Sequence, residues 1–398
     1  MVERQFFGWR VVAGAFLLAI FAWGVGFYGP GLFIATLAAQ GWSLALLSAA
    51  VTWHFLVSAV LVALLPEAHR RFGIAGSTRA GALASAIGLV GWALAPGGAI
   101  GLLGAATLTG IGWALTSGPA INAMIAPWFE KRRPMALSLA YNGASLGGMA
   151  LTPALAALTV AWGFGPAAGL VAGLMVLVIW PLAGAVLGQT PAGRGVLVDG
   201  LAPAAPGPAR SRRALLRDPR FRGLSVAFAL GLFAQMSLVA HLLALLTPAL
   251  GVDGAGLALS LVTLAALIGR TVTGWLLPAG PRRRHAAAIT FAVQALGSLA
   301  LILADGTLVP LLLLGSVFFG FGVGNLLSLP PLIVQAEFPP AELGRVVALL
   351  GAINQAVYAM APVTFGLLLV TASSNLALGL VAGLQLLAGL LVLRRPRA

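Results

Sequence analysis

The sequence predicts an all-α membrane protein with twelve transmembrane helices in two pseudo-symmetric six-helix halves, and with both termini in the cytoplasm. Hydrophobic residues make up 60% of the 398 residues and charged residues only 8%, too few to cover the surface of a soluble domain. A transmembrane helix needs about 20 apolar residues, so the apolar content is sufficient for a dozen. The 52 glycines and 24 prolines are ordinary in membrane helices, where neighbouring helices satisfy the freed backbone groups.

Twelve apolar segments are the predicted spans. They are 10–38, 43–65, 76–96, 99–127, 135–160 and 164–188, followed by 222–250, 255–277, 285–304, 307–336, 344–370 and 373–393. The first segment has no good cleavage site, so we interpret it as a span and not as a removed signal peptide. Residues 189–221 are rich in Pro, Gly, Ala and Arg and are the predicted cytoplasmic linker between an N-terminal half, 1–188, and a C-terminal half, 222–398.

The basic residues orient these spans. Of the 23 Lys and Arg residues, all except Arg270 lie near the ends that would face the cytoplasm, whereas the opposite connections contain Asp253 and Asp305. This asymmetry follows the positive-inside rule. The net charge of +14 is therefore a topology signal, and no nucleic-acid partner is predicted. The Ala- and Arg-rich composition is typical of a multi-pass protein of the bacterial inner (plasma) membrane.

The two halves align with each other when the chain is shifted by 209 to 212 residues. The pattern LLP-x-x-x-RR occurs at 64–71 and again at 276–283, and the pattern G-x-G occurs at 110–112 and again at 320–322. Two parallel six-span repeats are typical of carriers whose halves rock about a site near the middle of the membrane.

Several short segments resemble a known family. Residues 127–134 (PWFEKRRP), 141–148 (YNGASLGG), Pro153 and residues 40–43 (QGWS) resemble the monocarboxylate-porter and oxalate–formate-exchanger branch of the major facilitator superfamily. The chain as a whole resembles a transporter of that superfamily. The resemblance implies the major facilitator fold and transport by alternating access.

The predicted gating loops contain Arg70 and Arg71 after span 2, and Arg282 and Arg283 after span 8. In the superfamily the first of these loops usually reads G-x-x-x-D-R-x-G. Here Pro66 replaces the first glycine and Arg70 replaces the aspartate. We therefore expect the inner gate of this protein to be latched differently.

Arg270 lies within span 8, about two helical turns from its cytoplasmic end. An ionised arginine at membrane depth costs at least about 2.5–3.5 kcal/mol, so it is predicted to face a cavity and to have a partner. The predicted spans contain no Asp or Glu, which leaves water, backbone carbonyls, hydroxyls or a substrate anion. The resemblance implies that Arg270 binds a substrate carboxylate; the alternative is an arginine that reaches toward the inner headgroups.

The remaining candidate substrate ligands are polar residues in the spans. His54, near the centre of span 2, is also the candidate for proton coupling because imidazole titrates near neutral pH; the alternative is a hydrogen-bonded structural histidine. The candidates in other spans, for which helix packing is the alternative role, are Tyr28, His241, Asn325, Asn354 and Tyr358.

Two departures from the resembled branch bear on the substrate. Ala266 stands where its porters often carry an acid linked to proton coupling, and span 11 lacks the second cation of oxalate exchangers. One arginine suits one carboxylate, so a monovalent anion is predicted.

The predicted function is secondary active transport of a small organic monoanion, a monocarboxylate, by proton symport or anion exchange. The alternative is an exporter of hydrophobic or amphipathic compounds. The chain has no cysteine, and the predicted spans contain no paired carboxylates, metal cluster or nucleophile–base pair, so an enzyme is not predicted. We expect no cofactor or metal, and a monomer in the lipid bilayer whose partners are the anion and a proton.

Overall fold

The computed structural model of the protein describes residues 6–95, 97–198, 210–277 and 282–394, without the side chains of residues 252 and 253. Eleven helices of the described residues are long and apolar enough to cross a membrane. One more helix contains most of the predicted third span, although that segment is less apolar. Each helix overlaps one predicted span, and the prediction of an all-α membrane fold is confirmed.

The chain forms two compact units, Met1–Ala205 and Pro206–Ala398. The first unit contains α1 (Gly8–Ala39), α2 (Leu44–Ala63), α3 (Leu65–Leu94), α4 (Ala99–Ile125), α5 (Arg133–Trp162) and α6 (Phe164–Leu187). The second unit contains α7 (Pro219–Gly251), α8 (Gly254–Leu276), α9 (Arg283–Leu303), α10 (Val309–Glu337), α11 (Pro340–Thr371) and α12 (Ser374–Leu393). The boundary between the units falls in the predicted linker, and residues 199–209 of that linker lie outside the described residues. The side chain of Asp253, predicted on the opposite side of the membrane, also lies outside the described part of the chain.

Residues 66–72, which the sequence analysis placed in a loop between spans 2 and 3, are helical, so that prediction was wrong. Pro66 lies in the first turn of α3, where a proline costs no hydrogen bond, so it starts this helix instead of separating two spans. The bend comes later, at Gly73, whose φ of 69° and ψ of 168° are accessible to glycine. Arg70 and Arg71 are therefore helical residues that precede the bend.

Matched glycines have the same packing role within each unit. A Cβ atom at Gly110 of α4 would lie 2.6 Å from the carbonyl oxygen of His54 in α2. A Cβ atom at Gly320 of α10 would lie 2.5 Å from the carbonyl oxygen of Val262 in α8. Each pair of helices therefore meets at backbone contact, which is the use of small residues expected where helices pack in a membrane.

Candidate functional site

Arg270 is buried within the second unit. Its exposed fraction is 2%, and its Nε donates a hydrogen bond to the carbonyl oxygen of Gly324 in α10 at 2.8 Å. A backbone carbonyl is one of the candidate partners that the sequence analysis named for this guanidinium. The bond fixes the orientation of the side chain from a neighbouring helix.

Glycines bring α8 and α10 together at the level of Arg270. A Cβ atom at Gly324 would lie 2.2 Å from the carbonyl oxygen of Ala266 and 3.0 Å from Cβ of Arg270. A Cβ atom at Gly269 would lie 2.1 Å from the carbonyl oxygen of Phe321. The guanidinium reaches the Gly324 carbonyl because neither helix carries a side chain at these crossing points.

Asn325 follows Gly324 and is 1% exposed. Its Nδ2 donates to the carbonyl oxygen of Phe321 at 3.5 Å, and its Oδ1 has no hydrogen-bond partner in the described part of the chain. The Oδ1 atom of Asn354, on α11, is likewise buried and without a described partner. A buried acceptor that stays unpaired costs about 1–3 kcal/mol, so each of these amides is suited to a ligand or a water molecule.

The other predicted residues of this unit lie on α7 and α11. Tyr358 donates its hydroxyl to Oε1 of Gln355 at 3.3 Å. His241 packs against Phe365 with 5.2 Å between ring centres, and a Cβ atom at Gly366 would lie 3.1 Å from its Nε2. Both side chains are half-buried. The structure thus brings Asn325 beside the backbone contact of Arg270, and it places Asn354, His241 and Tyr358 on other helices of the same unit.

His54 is the centre of a buried network in the first unit. It is 1% exposed, and its Nδ1 lies 2.9 Å from Oγ1 of Thr109. That hydroxyl also receives a hydrogen bond from Nε1 of Trp92 at 3.3 Å, and it donates its own proton to the backbone carbonyls of Ala105 and Ala106. The direction of the hydrogen bond between Nδ1 of His54 and this hydroxyl depends on the tautomer of the imidazole. Nε2 is buried and has no hydrogen-bond partner among the described residues.

Tyr28 lies where α1 is interrupted, between its segments Gly8–Gly26 and Gly29–Ala39. A Cβ atom at Gly148 of α5 would lie 2.7 Å from the tyrosine ring. The ring is therefore held on the backbone of α5, in the same unit as His54.

The predicted gating residues behave differently in the structure. Arg70, Arg71 and Arg282 are exposed, whereas Arg283 is buried and donates to Oε1 of Gln335 at 2.9 Å and to the carbonyl oxygen of Leu332. Only the last of these four arginines connects α9 to α10.

Sequence reasoning missed Arg284, which makes a two-pronged ion pair with Glu337 at the end of α10. Its Nε and its terminal nitrogen lie 2.5 and 2.7 Å from the two carboxylate oxygens. A second terminal nitrogen donates to the carbonyl oxygen of Val392 in α12 at 2.8 Å. The scarcity of acidic residues was the available signal, because nine acids among 23 cations are expected to be paired.

Sequence reasoning also missed a cluster around Arg210. This arginine binds both carboxylate oxygens of Glu342 at 2.7 and 2.8 Å, and it binds the carboxylate of Asp218 at 2.7 Å. Burial alone would raise the pKa of Asp218, but hydrogen bonds from Arg210 and from the backbone N–H of Arg220 outweigh burial and lower that pKa. The last residues of the predicted linker are therefore tied to the starts of α7 and α11.

Buried amides connect α7, α9 and α12 of the second unit. Nε2 of Gln294 in α9 donates to Oε1 of Gln235 in α7 at 2.7 Å. The hydroxyl of Ser298 in α9 donates to Oε1 of Gln385 in α12 at 2.9 Å. All four side chains are at most 2% exposed, so this network holds the helices of the unit together.

Comparison with known proteins identifies a matching family and two similar structures. The model of the Major Facilitator Superfamily matches residues 15–362 and 242–398. The proton:xylose symporter XylE bound to 6-bromo-6-deoxy-D-glucose has a similar structure, with a TM-score of 0.74 and 16% identity, over 96% of this chain and 94% of that chain. The human organic anion transporter MFSD10 (TETRAN) has a TM-score of 0.69 and 18% identity, over 98% of this chain and 100% of that chain. No curated protein sequence gives a significant match. At these identities the two similar structures show a shared fold.

Proposed function

The chain belongs to the major facilitator superfamily, and on that premise we propose that it is a secondary active transporter of a small organic monoanion, a monocarboxylate, by proton symport or anion exchange. The fold alone does not identify the substrate, because one similar structure is named as a proton:xylose symporter and another as an organic anion transporter. The proposal is carried by the buried guanidinium of Arg270 on α8.

The setting of Arg270 suits a carboxylate. A guanidinium carries five N–H donors in a planar fork, and the hydrogen bond from Nε to Gly324 orients its plane. Charge-assisted hydrogen bonds of this kind are stronger than neutral ones, and they gain further strength away from water. A bound monoanion would also offset the cost of keeping a cation at 2% exposure.

The amide of Asn325 favours a substrate that brings a proton. Its buried Oδ1 is an acceptor, and the neighbouring Gly324 carbonyl already binds Arg270. A hydroxyl next to the carboxylate, or the proton of an undissociated acid, would satisfy that oxygen. Short hydroxy acids are therefore the first compounds to try.

His54 supports proton coupling over anion exchange. Its Nε2 is buried without a hydrogen-bond partner in the described part of the chain, and an imidazole can take up a proton. Protonation of His54 would place a positive charge in the interior of the first unit. A histidine could therefore carry the coupled proton in place of an acidic side chain.

The test is uptake of labelled two- to four-carbon monocarboxylates by proteoliposomes, with and without a pH gradient. We expect uptake by the wild type and an increase in KM of about 10- to 100-fold in Arg270→Gln, because a hydrogen bond to a charged group contributes about 1.5–3 kcal/mol. Arg270→Lys keeps the charge but loses the fork, so its defect should be smaller. Arg222→Gln removes an exposed arginine and is the matched control.

Unimpaired carboxylate uptake by Arg270→Gln would contradict the ligand role. For coupling, His54→Gln should abolish stimulation of uptake by the pH gradient and leave exchange of one carboxylate for another intact. Full stimulation in His54→Gln would contradict the proton-carrier role while leaving the proposed substrate class untouched.

A further inference from the structure

A half-buried arginine crosses the surface where α3 meets α6 in the first unit. Nε of Arg79, on α3, donates a hydrogen bond to the carbonyl oxygen of Trp180, on α6, at 3.0 Å. The guanidinium carbon also lies 5.3 Å from the centre of the Trp180 ring, within the range of a cation–π contact. The arginine is therefore held on a tryptophan of the neighbouring helix.

The backbone of α6 is shaped to receive this guanidinium. A Cβ atom at Gly184 would lie 2.3 Å from a terminal nitrogen of Arg79, so the position is occupied by a glycine that leaves room. Pro181 lies inside the helix, and the next residues, Ala183–Leu187, form a π-helix. A proline and a π turn both change the backbone hydrogen-bond register, which makes carbonyl groups of the preceding turn accessible to a side chain.

The surroundings of Arg79 are those of a membrane interface. At a rise of about 1.5 Å per residue, Arg79 and Trp180 lie roughly 10 Å from the Gly73 bend and from the end of α6. Beyond them α3 exposes Leu83 (42%) and Ile87 (51%), and α6 exposes Leu177 (71%). Trp180 itself is 44% exposed, as is typical of tryptophans at headgroup level. The guanidinium of Arg79 therefore lies at one end of an exposed apolar surface.

We propose that this surface, formed by Arg79, Trp180, Gly184, Leu83 and Leu177, binds one anionic phospholipid. Within the described part of the chain, Nε of Arg79 donates the hydrogen bond to the protein. The two terminal nitrogens of its guanidinium have the geometry to donate hydrogen bonds to two oxygens of a phosphate. The acyl chains lie along the exposed leucines. The predicted orientation places this end of α3 and α6 at the cytoplasmic leaflet, whose anionic lipids attract arginines.

The experiment measures lipid binding to the full-length protein, purified in detergent and freed of lipid. Native mass spectrometry compares phosphatidylglycerol with phosphatidylcholine of the same acyl chains. We expect the wild type to bind the first phosphatidylglycerol about fivefold more tightly than phosphatidylcholine, and Arg79→Gln to lose that preference. Gly184→Ala keeps every charge but displaces the guanidinium, so it should lose the preference as well. Gly173→Ala, at an open position of the same helix, and Arg222→Gln should keep it.

Several results would overturn the proposal. Phosphatidylglycerol binding that is unchanged in both Arg79→Gln and Gly184→Ala would do so, as would equal binding of the two lipids to the wild type. Competition by soluble glycerol phosphate would indicate a phosphate site and not a lipid site, and altered oligomeric state in the variants would indicate a contact between two copies of the chain. If the variants fail to fold, a photoactivatable phosphatidylglycerol on the wild type must label residues 79–87 or 177–184, and labelling elsewhere refutes the site.

Discussion

Gly324→Ala tests how the fold positions Arg270. The added Cβ would lie 2.2 Å from the carbonyl oxygen of Ala266, whereas ordinary van der Waals contact begins at 3.4 Å. Close-packed helices transmit such strain, so α8 and α10 must separate by roughly 1 Å. The bond from Nε of Arg270 to the Gly324 carbonyl would then lengthen from 2.8 Å to roughly 3.8 Å, which is no longer a hydrogen bond.

Two measurable effects follow. Overpacking of this size costs about 1–3 kcal/mol, so the thermal unfolding midpoint of the detergent-solubilised protein should fall. Loss of the orienting bond should also raise the Kd for a monocarboxylate by about tenfold, although Arg270 itself is retained. Differential scanning fluorimetry and equilibrium binding measure the two effects separately.

The matched control is Gly383→Ala in α12, where no atom lies within 4 Å of the added Cβ. Because alanine is a better helix former than glycine, this variant should be neutral or more stable by about 0.5–1 kcal/mol. A Gly324→Ala protein with wild-type stability and wild-type carboxylate affinity would refute the packing argument.

Three further predictions concern the buried polar contacts. Glu337→Gln should destabilise the protein by about 3–5 kcal/mol, because it leaves the buried Arg284 guanidinium without its counter-charge. Unfolding in chemical denaturant measures this loss. The control is Glu130→Gln, which should cost much less because the carboxylate of Glu130 is far more exposed. The lowered pKa of Asp218 means that its ion pair with Arg210 contributes stability above the ordinary aspartate pKa of about 4, and that this contribution is lost as the pH falls through the lower folded value. Asp218→Asn should therefore lower thermal stability at pH 7 and flatten its decline in acid, and an unchanged acid profile would count against the pairing. Thr109→Val should cost about 2–5 kcal/mol because the buried rings of His54 and Trp92 both lose a hydrogen-bond partner, whereas Thr109→Ser should be close to wild type in thermal melting.

Much of the fold was predictable because span length and charge asymmetry are set by the bilayer itself. The failure at α3 has a local cause. Pro66 can end one helix or start another, and the sequence pattern does not distinguish the two, while the true bend depends on a single positive φ at Gly73. The predicted repeat was informative about packing, because Gly110 and Gly320 make equivalent close contacts in their own units.

The candidate site was less predictable. The burial of Arg270 could be expected from its depth, but its hydrogen bond to the Gly324 carbonyl depends on the crossing of α8 and α10. The pairing of Glu337 with Arg284, and not with Arg283, depends on the rotation of α9, which a run of three arginines leaves open. The Thr109 network around His54 joins residues 55 apart in sequence and has no local signal.

The most direct measurement compares the affinity of the purified protein for a short carboxylic acid with that for its neutral amide. The pair has nearly the same shape and differs in charge, so the ratio of the two Kd values reports recognition of the carboxylate. If Arg270 binds the carboxylate, the wild type should prefer the acid by at least about tenfold, and Arg270→Gln should lose that preference. The same preference in both proteins would contradict this role of Arg270.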